Sequence, residues 1–439
     1  MLILNGLDPL TSEISNPLTN LSRTTTTMTT KSLNPQIPNN QGSALIIYSG
    51  GLDTTVCIPL LREEGYTDIH TVCIDVGQPG EDIAQAEERA RILGTKHTTV
   101  DAKEEFANDY CSIAITFNAD YFGYPLSTAI ARPLIAKKAA EAGIAVGKEV
   151  VFVHGCTGKG NDQFRIEFGL RKHAPGMRIY APIREHNWTR TAEIEYAEKV
   201  GAPIGQSKDK IWSIDENFWG RSIEGGRLEE PSYQPPEEIF AWTSSLADAP
   251  NEPQLITIDF QDGKPVGIDG IKVSILQAIM KANELAGKHG VGRIDIMEDR
   301  MIGMKVRENY ECPGASLLIK AHKELEALVC APQERRFKSL VDAQWAELTY
   351  QGLWGDPLFD DLVAFSNNIQ KRVTGSVTLR LFKGHMQVVS RSSRFALYSE
   401  AVASFDDSAV FEQSEMTGMV RAHGISSLLY SKLMGENGG

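Results

Sequence analysis

From residue 42 onward, short apolar runs alternate with longer segments in which apolar residues recur at helical spacing. The apolar runs, which predict buried strands, cover residues 44–48, 71–76, 97–100, 149–154 and 179–183. Helical patterns lie between them, up to about residue 65 and then over residues 80–94, 103–117 and 128–142. Because such strands need crossover connections, this order predicts an α/β fold with a doubly wound parallel sheet.

After residue 205 the strand and helix patterns no longer alternate. Strand patterns at 254–260 and 375–382, with helical patterns at 272–286 and 315–330, predict a second, α+β domain. We place the two domains at residues 42–205 and 206–405. The final segment, 406–439, is expected to form a helical arm with one apolar stripe, which a helix docked on its own domain would also carry. The stripe consists of Leu428, Leu429, Leu433 and Met434.

Composition narrows the class of protein. The 439 residues are 42% hydrophobic and 23% charged, as in globular proteins of more than one domain, and no apolar run is long enough to span a membrane. A net charge of -13 disfavours a broad nucleic-acid surface. Residues 1–41 are rich in Thr, Ser, Asn and Pro and predict a disordered extension, without the apolar core of a secretory signal.

The six cysteines are widely scattered along the chain. They include no CxxC pair and no Cys/His cluster with zinc spacing. We therefore expect buried free thiols rather than a disulfide framework, a redox pair or a structural metal site.

The string YSGGLDTT, at residues 48–55, directly follows the first apolar run. Its two glycines permit a tight turn, and Asp53 or Thr54 can begin the next helix. Backbone N–H groups at such a helix start favour a phosphate. The GxxxxGK[ST] loop of common NTPases is absent from the sequence. SGGxD[ST] instead resembles the loop of ATP pyrophosphatases, although an ordinary strand-to-helix turn would look similar.

A second polar string, HGCTGKGNDQFR at residues 154–165, follows another buried-strand pattern. It combines Lys159 and Arg165, which suit a carboxylate, with Asn161 and Asp162, which suit an ammonium group. The mixture predicts a zwitterionic ligand. The alternative is a solvated loop before a helix, with both cations at the surface.

Together these strings resemble argininosuccinate synthase. Further segments match that family in its own order, from about residue 44 to at least residue 379. They are VGQ at 76–78, YPL at 124–126, ARPLIA at 131–136, WSIDEN at 212–217, KHGVGRID at 288–295 and IGMK at 302–305.

The resemblance implies a cytoplasmic enzyme of arginine biosynthesis. Such an enzyme joins L-citrulline to L-aspartate through a citrullyl-adenylate and releases AMP and pyrophosphate from ATP. It further implies Mg²⁺ bound with ATP rather than at a protein-only metal site, a PP-loop nucleotide-binding domain, a synthetase domain and a homotetramer held by the C-terminal arm. Nucleic acid and membrane are not expected partners.

Carried over position by position, the resemblance assigns each substrate a set of residues. ATP is expected on Ile47, Tyr48, Ser49, Gly50, Gly51, Leu52, Asp53, Thr54, Thr55, Ile74 and Gly155. Aspartate is expected on Thr157, Asn161 and Asp162. Citrulline is expected on Tyr124, Arg132, Asn161, Arg165, Ser213, Ser222, Glu298 and Tyr310. Asp53, Asp162 and Arg165 are the expected catalytic residues.

The sequence departs from the family at a few of these positions. Thr55 stands where the family often has Ser, Ala129 where some members have Ser, and the strings around Glu298 and Tyr310 differ in their inner residues. Residue 55 keeps its hydroxyl group, Tyr310 is retained, and the charged residues at the ends of both strings are retained. We therefore expect the same substrates.

Each expected ligand contact also has a structural alternative. Tyr124 would simply pack in a turn, Arg132 would cap a carboxylate on a helix face, Ser222 would lie in a polar loop, and Glu298 would pair with Arg300. Two competing functions are a tRNA-thiolating or tRNA-modifying ATP pyrophosphatase and a non-catalytic nucleotide-binding module. The first usually needs paired cysteines and a basic face, and the second leaves TGKGND and the second domain unexplained.

Overall fold

The computed structural model describes residues 42–147, 149–204, 212–403 and 412–437. The predicted disordered extension, residues 1–41, lies outside the described residues. The elements of the first half are β1 (Ser43–Ile47), α1 (Leu52–Glu63), β2 (Asp68–Asp75), α2 (Gly80–Ile92), β3 (Lys96–Asp101), α3 (Lys103–Glu105), a π-helical segment (Phe106–Cys111), α4 (Ser112–Thr116), α5 (Ser127–Val146), β4 (Val151–Val153), α6 (Asp162–His173), β5 (Ile179–Tyr180), α7 (Pro182–Glu185) and α8 (Arg190–Val200).

The first half forms the predicted parallel sheet. Its strand order is β3-β2-β1-β4-β5, and all four pairings are parallel. The chain moves outward from β1 to β2 and β3 on one side and then returns to β4 on the other. The carboxyl ends of β1 and β4 therefore flank the switch point, where ligands bind in open α/β sheets. Both polar strings of the sequence begin there.

Several boundaries in this half differ from the prediction, and two of the differences have a local cause. The strand predicted over 179–183 ends at Tyr180, because Pro182 has no N–H for a strand ladder and instead begins the short helix α7. Helix α1 begins at Leu52, before the predicted start at Asp53 or Thr54, with Gly51 as its N-cap.

The second half contains two antiparallel sheets and long helices. Its elements are β6 (Ser213–Asn217), β7 (Gly220–Glu224), 3-10 turns at Gly226–Glu229 and Glu237–Ile239, β8 (Gln254–Gln261), β9 (Lys264–Ile268), β10 (Ile271–Lys272), α9 (Ile275–Lys288), β11 (Arg293–Asp299), β12 (Lys305–Glu311), α10 (Pro313–Val329), α11 (Pro332–Tyr350), α12 (Pro357–Gln370), β13 (Gly375–Phe382), β14 (His385–Ser392) and α13 (Glu400–Ala403).

The strand orders of these sheets are β10-β9-β8-β13-β14 and β11-β12-β7-β6. The helix predicted from residue 272 begins at Ile275, because Ser274 caps it in a capping box with Gln277 and residues 271–272 pair with β9. Segregated antiparallel strands and helices agree with the predicted α+β class.

One hydrophobic core joins the two halves. Leu45 and Phe106 of the first half lie in the same buried cluster as Trp219, Leu318 and Trp345 of the second. A second cluster covers the other face of the parallel sheet. Both faces of that sheet are therefore buried, as its near-continuous apolar strands predict. The shared core holds the second half against the parallel sheet.

The described part of the arm is a 3-10 turn (Gln413–Glu415) followed by α14 (Met416–Ala422) and α15 (Ile425–Asn437). The predicted stripe lies on α15 and is exposed, with Leu428 66% accessible. The stripe is therefore not buried against its own domain. No helix in the described ranges is both long and apolar enough to cross a bilayer.

Candidate active site

The turn after β1 presents backbone N–H groups that have no helical acceptor. No side chain caps the start of α1, and the N–H of Thr55 makes the first bond of the helix, to the carbonyl of Gly51 (3.0 Å). The N–H groups of residues 52–54 therefore point beyond the helix end, where the helix dipole adds positive potential. This arrangement suits a phosphate group.

Two glycines allow the close packing of this turn. Gly50 has a φ of 73°, and a Cβ there would lie 2.8 Å from Cα of Ala86. A Cβ on Gly155 would lie 3.0 Å from both the Cβ of Asp53 and the backbone nitrogen of Thr54. The loop after β4 is therefore in direct contact with the first turn of α1.

Hydroxyl groups fix the shape of the same turn. Thr55 is buried, and its hydroxyl donates to the carbonyl of Gly50 (3.3 Å) and lies 3.2 Å from the hydroxyl of Tyr48. The hydroxyls of Ser49 and Thr54 lie 3.3 Å apart across the mouth of the turn. These contacts give Tyr48 and Thr55 a structural role inside the loop.

Asp53 has a buried carboxyl neighbour on α8. Burial raises the pKa of Glu193 well above its ordinary value, and the charge of Asp53 and a hydrogen bond with it raise that pKa further. Glu193 is therefore protonated at neutral pH and adds no second negative charge beside the phosphate-binding turn.

Ile74 lies at the carboxyl end of β2, beside this turn, and is buried. The Gln78 side chain donates to the carbonyl of Ile74 (2.9 Å) and accepts from the N–H of Val76 (2.8 Å). One amide thereby closes the loop that follows β2. Ile74, which is expected to contact ATP, therefore lies beside backbone groups that are hydrogen-bonded to the Gln78 side chain.

Four charged side chains from three elements, α5, α6 and β6, meet where α6 begins. Asp162 accepts from Nε of Arg132 on α5 (2.8 Å) and from a guanidinium nitrogen of Arg165 (3.0 Å). Arg132 also bonds Asp215 of β6. Asp162 is the first residue of helix α6, so Arg132 also has the expected structural alternative, a bond to a carboxylate on a helix.

This group of Arg132, Asp162, Arg165 and Asp215 is balanced in charge. Burial alone would raise the pKa of Asp162, but the charges and hydrogen bonds of the two arginines lower it below its ordinary value. The side chains expected to bind a carboxylate and an ammonium group bind each other here. A zwitterionic ligand can exchange with these pairs without changing the net charge of the site.

A second group of contacts links the loop after β4 to sheet β11-β12-β7-β6. The Asn161 amide donates to the hydroxyl of Tyr350 (2.8 Å), which in turn donates to Glu298 (2.7 Å). The Tyr310 hydroxyl donates to the other oxygen of Glu298, and its ring stacks on Tyr124 with centroids 4.0 Å apart. Four residues predicted for citrulline are thus in one connected group.

Glu298 does not form the ion pair expected as its structural alternative. Arg300 instead pairs with Glu224 (3.0 Å) and Glu308 (2.8 Å). Glu298 is only 4% exposed, and no described lysine, arginine or histidine lies within ion-pairing distance of it. A buried carboxylate held by two neutral hydroxyls suits an incoming N–H donor or ammonium group.

Tyr124 also has the structural role that was expected as an alternative. It bridges Tyr121 across a turn, and its hydroxyl accepts from the N–H of Thr128 near the start of α5 (2.8 Å). The same ring stacks on Tyr310. The structural role of Tyr124 in the turn therefore does not exclude the citrulline contact that is predicted for the same side chain.

Ser222, Ser213 and Thr157 lie nearer the edge of these groups. Ser222 is in strand β7, so its prediction as a loop residue is wrong, and its hydroxyl donates to the carbonyl of Asp215 (3.3 Å). Ser213 begins β6 and is exposed, while Thr157 is half-buried in the loop after β4. Tyr310 is likewise in a strand, β12, rather than in a loop.

Sequence reasoning missed two members of the site. Asp215 lies inside the family-like string WSIDEN, two residues after Ser213, and its charge was the available signal, although the neighbouring Glu216 carries the same signal. Tyr350 ends a long helix without a local motif, and its partner Asn161 is 189 residues away. Only the folded chain brings Tyr350 to the site.

The described residues were also compared with the expectations for metal ligands and thiols. No group of three or more His, Cys, Asp or Glu side chains there could hold a metal ion. All six cysteines are free thiols, and all but the half-buried Cys156 are buried. Burial raises the pKa of the Cys156 thiol, which therefore stays protonated.

Comparison with known proteins shows the family of the chain. The model of the argininosuccinate synthase N-terminal HUP domain matches residues 43–203, and that of the C-terminal domain matches residues 212–430. Argininosuccinate synthase from Methanocaldococcus jannaschii is 55% identical over 88% of this chain and 97% of its own length. The corresponding proteins of Methanococcoides burtonii and Methanosarcina acetivorans are 52% and 51% identical, each over 89% of this chain and 98% of theirs. The chain belongs to the argininosuccinate synthase family.

Proposed function

We propose that the chain ligates L-citrulline to L-aspartate at the expense of ATP, in arginine biosynthesis, and that the two groups of residues described above form the active site. Membership of the argininosuccinate synthase family supports the reaction. The observation that carries the site is the contact between Gly155 and the first turn of α1. It puts the loop that bears Asn161 and Asp162 directly beside the turn suited to phosphate.

The reaction has two displacements. The ureido oxygen of citrulline attacks the α-phosphorus of ATP, the bond to the bridging oxygen breaks, and pyrophosphate leaves. The amine of aspartate then attacks the activated ureido carbon, the carbon–oxygen bond breaks, and AMP leaves with that oxygen. Urea carbon is a poor electrophile, so adenylation supplies the leaving group. Holding the reactants in line contributes ~7–11 kcal/mol in well-oriented systems.

We assign the phosphates of ATP to the turn formed by residues 48–55, with Ile74 beside the adenine. The free N–H groups of residues 52–54 neutralise charge on the departing pyrophosphate. Asp162 and Asn161, with Thr157, bind aspartate, and Asp162 exchanges an arginine partner for the α-ammonium group.

We assign citrulline to residues of both groups and to two serines near their edge, with Asn161 shared between citrulline and aspartate. Arg132 and Arg165 suit its carboxylate, and the buried Glu298 suits an amino or ureido N–H. Tyr310 donates a hydrogen bond to Glu298, and Tyr124 stacks on the Tyr310 ring. The members of this set are Tyr124, Arg132, Asn161, Arg165, Ser213, Ser222, Glu298 and Tyr310.

We propose that Mg²⁺ enters with ATP. The described residues offer no complete set of protein ligands, so phosphate oxygens are expected to supply most of the coordination. Asp53 is the carboxylate expected to share the ion, and the protonated state of Glu193 leaves Asp53 available. When bound, the ion would neutralise charge on the pyrophosphate.

We further propose a cytoplasmic homotetramer in which the arm, α14 and α15, packs on neighbouring subunits. The exposed stripe of Leu428, Leu429, Leu433 and Met434 supports this, since an apolar patch of that kind usually marks an interface. Sedimentation equilibrium of the purified chain should give four subunits, and a monomer mass would contradict the arrangement.

The proposed function is tested by pyrophosphate release from ATP and Mg²⁺, with citrulline and aspartate added singly and together. Argininosuccinate should form only with both amino acids, and an Asp162→Ala variant should lose it. Replacing the amino acids with tRNA is the matched control for the competing tRNA-modifying function. Release that required tRNA and ignored citrulline would reject the proposal.

A further inference from the structure

Tyr350, the last residue of α11, contacts three residues assigned to the substrates. Its hydroxyl accepts from the Asn161 amide (2.8 Å) and donates to Glu298 Oε2 (2.7 Å), while its carbonyl accepts from Nε of Arg165 (2.9 Å). No sequence motif or assigned ligand position includes Tyr350. Its place at the centre of these contacts suggests that it sets their geometry.

The Tyr350 ring is fixed on both faces. One face stacks on Tyr121, with centroids 3.8 Å apart and planes 11° from parallel, and the Arg165 guanidinium lies 5.0 Å from the ring centre. The side chain is 1% exposed. A ring held in this way offers its hydroxyl in a single position, so it can orient partners at little entropic cost.

The direction of the hydrogen bonds is also fixed. Burial, followed by the charge of Glu298, raises the pKa of Tyr350 far above its ordinary value, so the hydroxyl keeps its proton. Because Asn161 donates its amide hydrogen, the tyrosine proton is committed to the carboxylate. Without this hydroxyl, Glu298 would keep only the bond from Tyr310, and the Asn161 amide would lose its acceptor.

The backbone after Tyr350 is packed equally closely against α6. Gly352 has a φ of 79°, and a Cβ there would lie 2.6 Å from Cα of Arg165. The turn that ends α11 therefore rests directly on the backbone of the helix that carries Asp162 and Arg165. A shift of Tyr350 relative to these residues would require both elements to move.

We propose that Tyr350 is a positioning residue for citrulline: it aims the Glu298 carboxylate and the Asn161 amide at the ligand, and its carbonyl holds Arg165. The inference rests on the proposed function, because it assumes that these three residues bind substrate. It gives helix α11 a direct part in shaping the proposed amino-acid site, in addition to the residues that β11 and β12 contribute.

The test compares Tyr350→Phe with Tyr121→Phe in the full-length enzyme. Each variant keeps the stacked rings and loses one hydroxyl, but the hydroxyl of Tyr121 donates to the carbonyl of Asp299 (3.3 Å) and not to Glu298. Tyr350→Phe should raise KM for citrulline roughly tenfold, with kcat and KM for ATP changed less than about twofold. Tyr121→Phe should leave all three within about twofold.

A second comparison asks whether Tyr350 acts through Glu298. In a Glu298→Gln background, adding Tyr350→Phe should raise KM for citrulline less than about threefold, well below its effect in the wild type. Full additivity would overturn the inference, as would equal KM values in Tyr350→Phe and the wild type. Equal increases in both phenylalanine variants, with equally lowered melting temperatures, would assign the effect to the ring stack and also overturn it. A wild-type enzyme that makes no argininosuccinate would instead reject the proposed function.

Discussion

At the scale of single residues, the site depends on how closely two backbones approach. Gly155 lets the loop after β4 contact the first turn of α1, and a side chain there would meet the backbone of Asp53 and Thr54 at 3.0 Å. Ordinary carbon contacts lie near 3.5–4.0 Å, so one loop must move. In the proposed site, the separation between the phosphates and the amino acids therefore depends on the missing side chain at Gly155.

Gly155→Ala should therefore reduce kcat/KM for ATP roughly 100-fold, since displacements of about 1 Å at a reacting centre have effects of that size. Gly158→Ala is the matched control in the same loop, because its Cβ would make only an ordinary contact, 3.6 Å from Arg184. Steady-state kinetics of the two variants decide the matter. Similar losses in both would show that loop flexibility, and not the contact with α1, limits the reaction.

At the scale of elements, helix α6 is held by contacts of Glu167 as well as by those of Asp162 at its start. Glu167, on the same helix as Asp162, binds Arg184 of α7 (2.6 Å) and His154 at the end of β4 (3.3 Å). Burial alone would raise the pKa of Glu167, but hydrogen bonds from His154 and Arg184 lower it to about 2. The Glu167 carboxylate thus connects α6, α7 and the end of β4.

Because the folded pKa of Glu167 is depressed, its contribution to stability is complete above the unfolded pKa of about 4.5 and disappears as the pH falls toward 2. Glu167→Gln should therefore lower the free energy of unfolding by about 3 kcal/mol near neutral pH and by much less near pH 3. Urea titrations of both proteins across this range measure the difference. A difference between the two free energies of unfolding that does not change with pH would assign the effect to packing rather than to charge.

The elements also mark how far sequence reasoning reaches. The strands of the first sheet were predictable because parallel strands buried on both faces are continuous apolar runs. In the second half, residues 375–382 form the predicted strand in full. The strand predicted at 179–183 failed at Pro182, where the missing N–H outweighs apolar character. The loops were predicted from their glycines and polar side chains. Contacts such as Asn161 with Tyr350 were not predictable, because residues far apart in sequence form them without a local pattern.

At the scale of the whole molecule, a buried polar cluster crosses the shared core between the two halves of the chain. Lys338 of α11 is 2% exposed and donates to the carbonyl of Thr116 (2.9 Å), to Asp342 (2.7 Å) and to Glu326 (3.0 Å). These contacts join α4 of the first half to α10 and α11 of the second. The cluster therefore helps to fix the helix that carries Tyr350.

Lys338→Met should destabilise the fold by about 3–5 kcal/mol, because it leaves the buried carboxylate of Glu326 and the half-buried carboxylate of Asp342 without their cation. Lys371→Met, at an exposed lysine that contacts Asn368 (3.3 Å), should change stability by less than about 0.5 kcal/mol. Equilibrium unfolding in urea compares the two. An equally small change in both variants would mean that the buried lysine adds nothing that methionine cannot replace.

The central claim is that the ureido oxygen of citrulline attacks the α-phosphorus of ATP bound on the turn of residues 48–55. The most direct measurement uses citrulline labelled with heavy oxygen in its ureido group, with mass spectrometry of every phosphorus product after turnover with ATP and aspartate. We expect the label to leave in the phosphate of AMP, because the carbon–oxygen bond breaks when aspartate attacks. Label in pyrophosphate, or unlabelled AMP formed together with argininosuccinate, would contradict it.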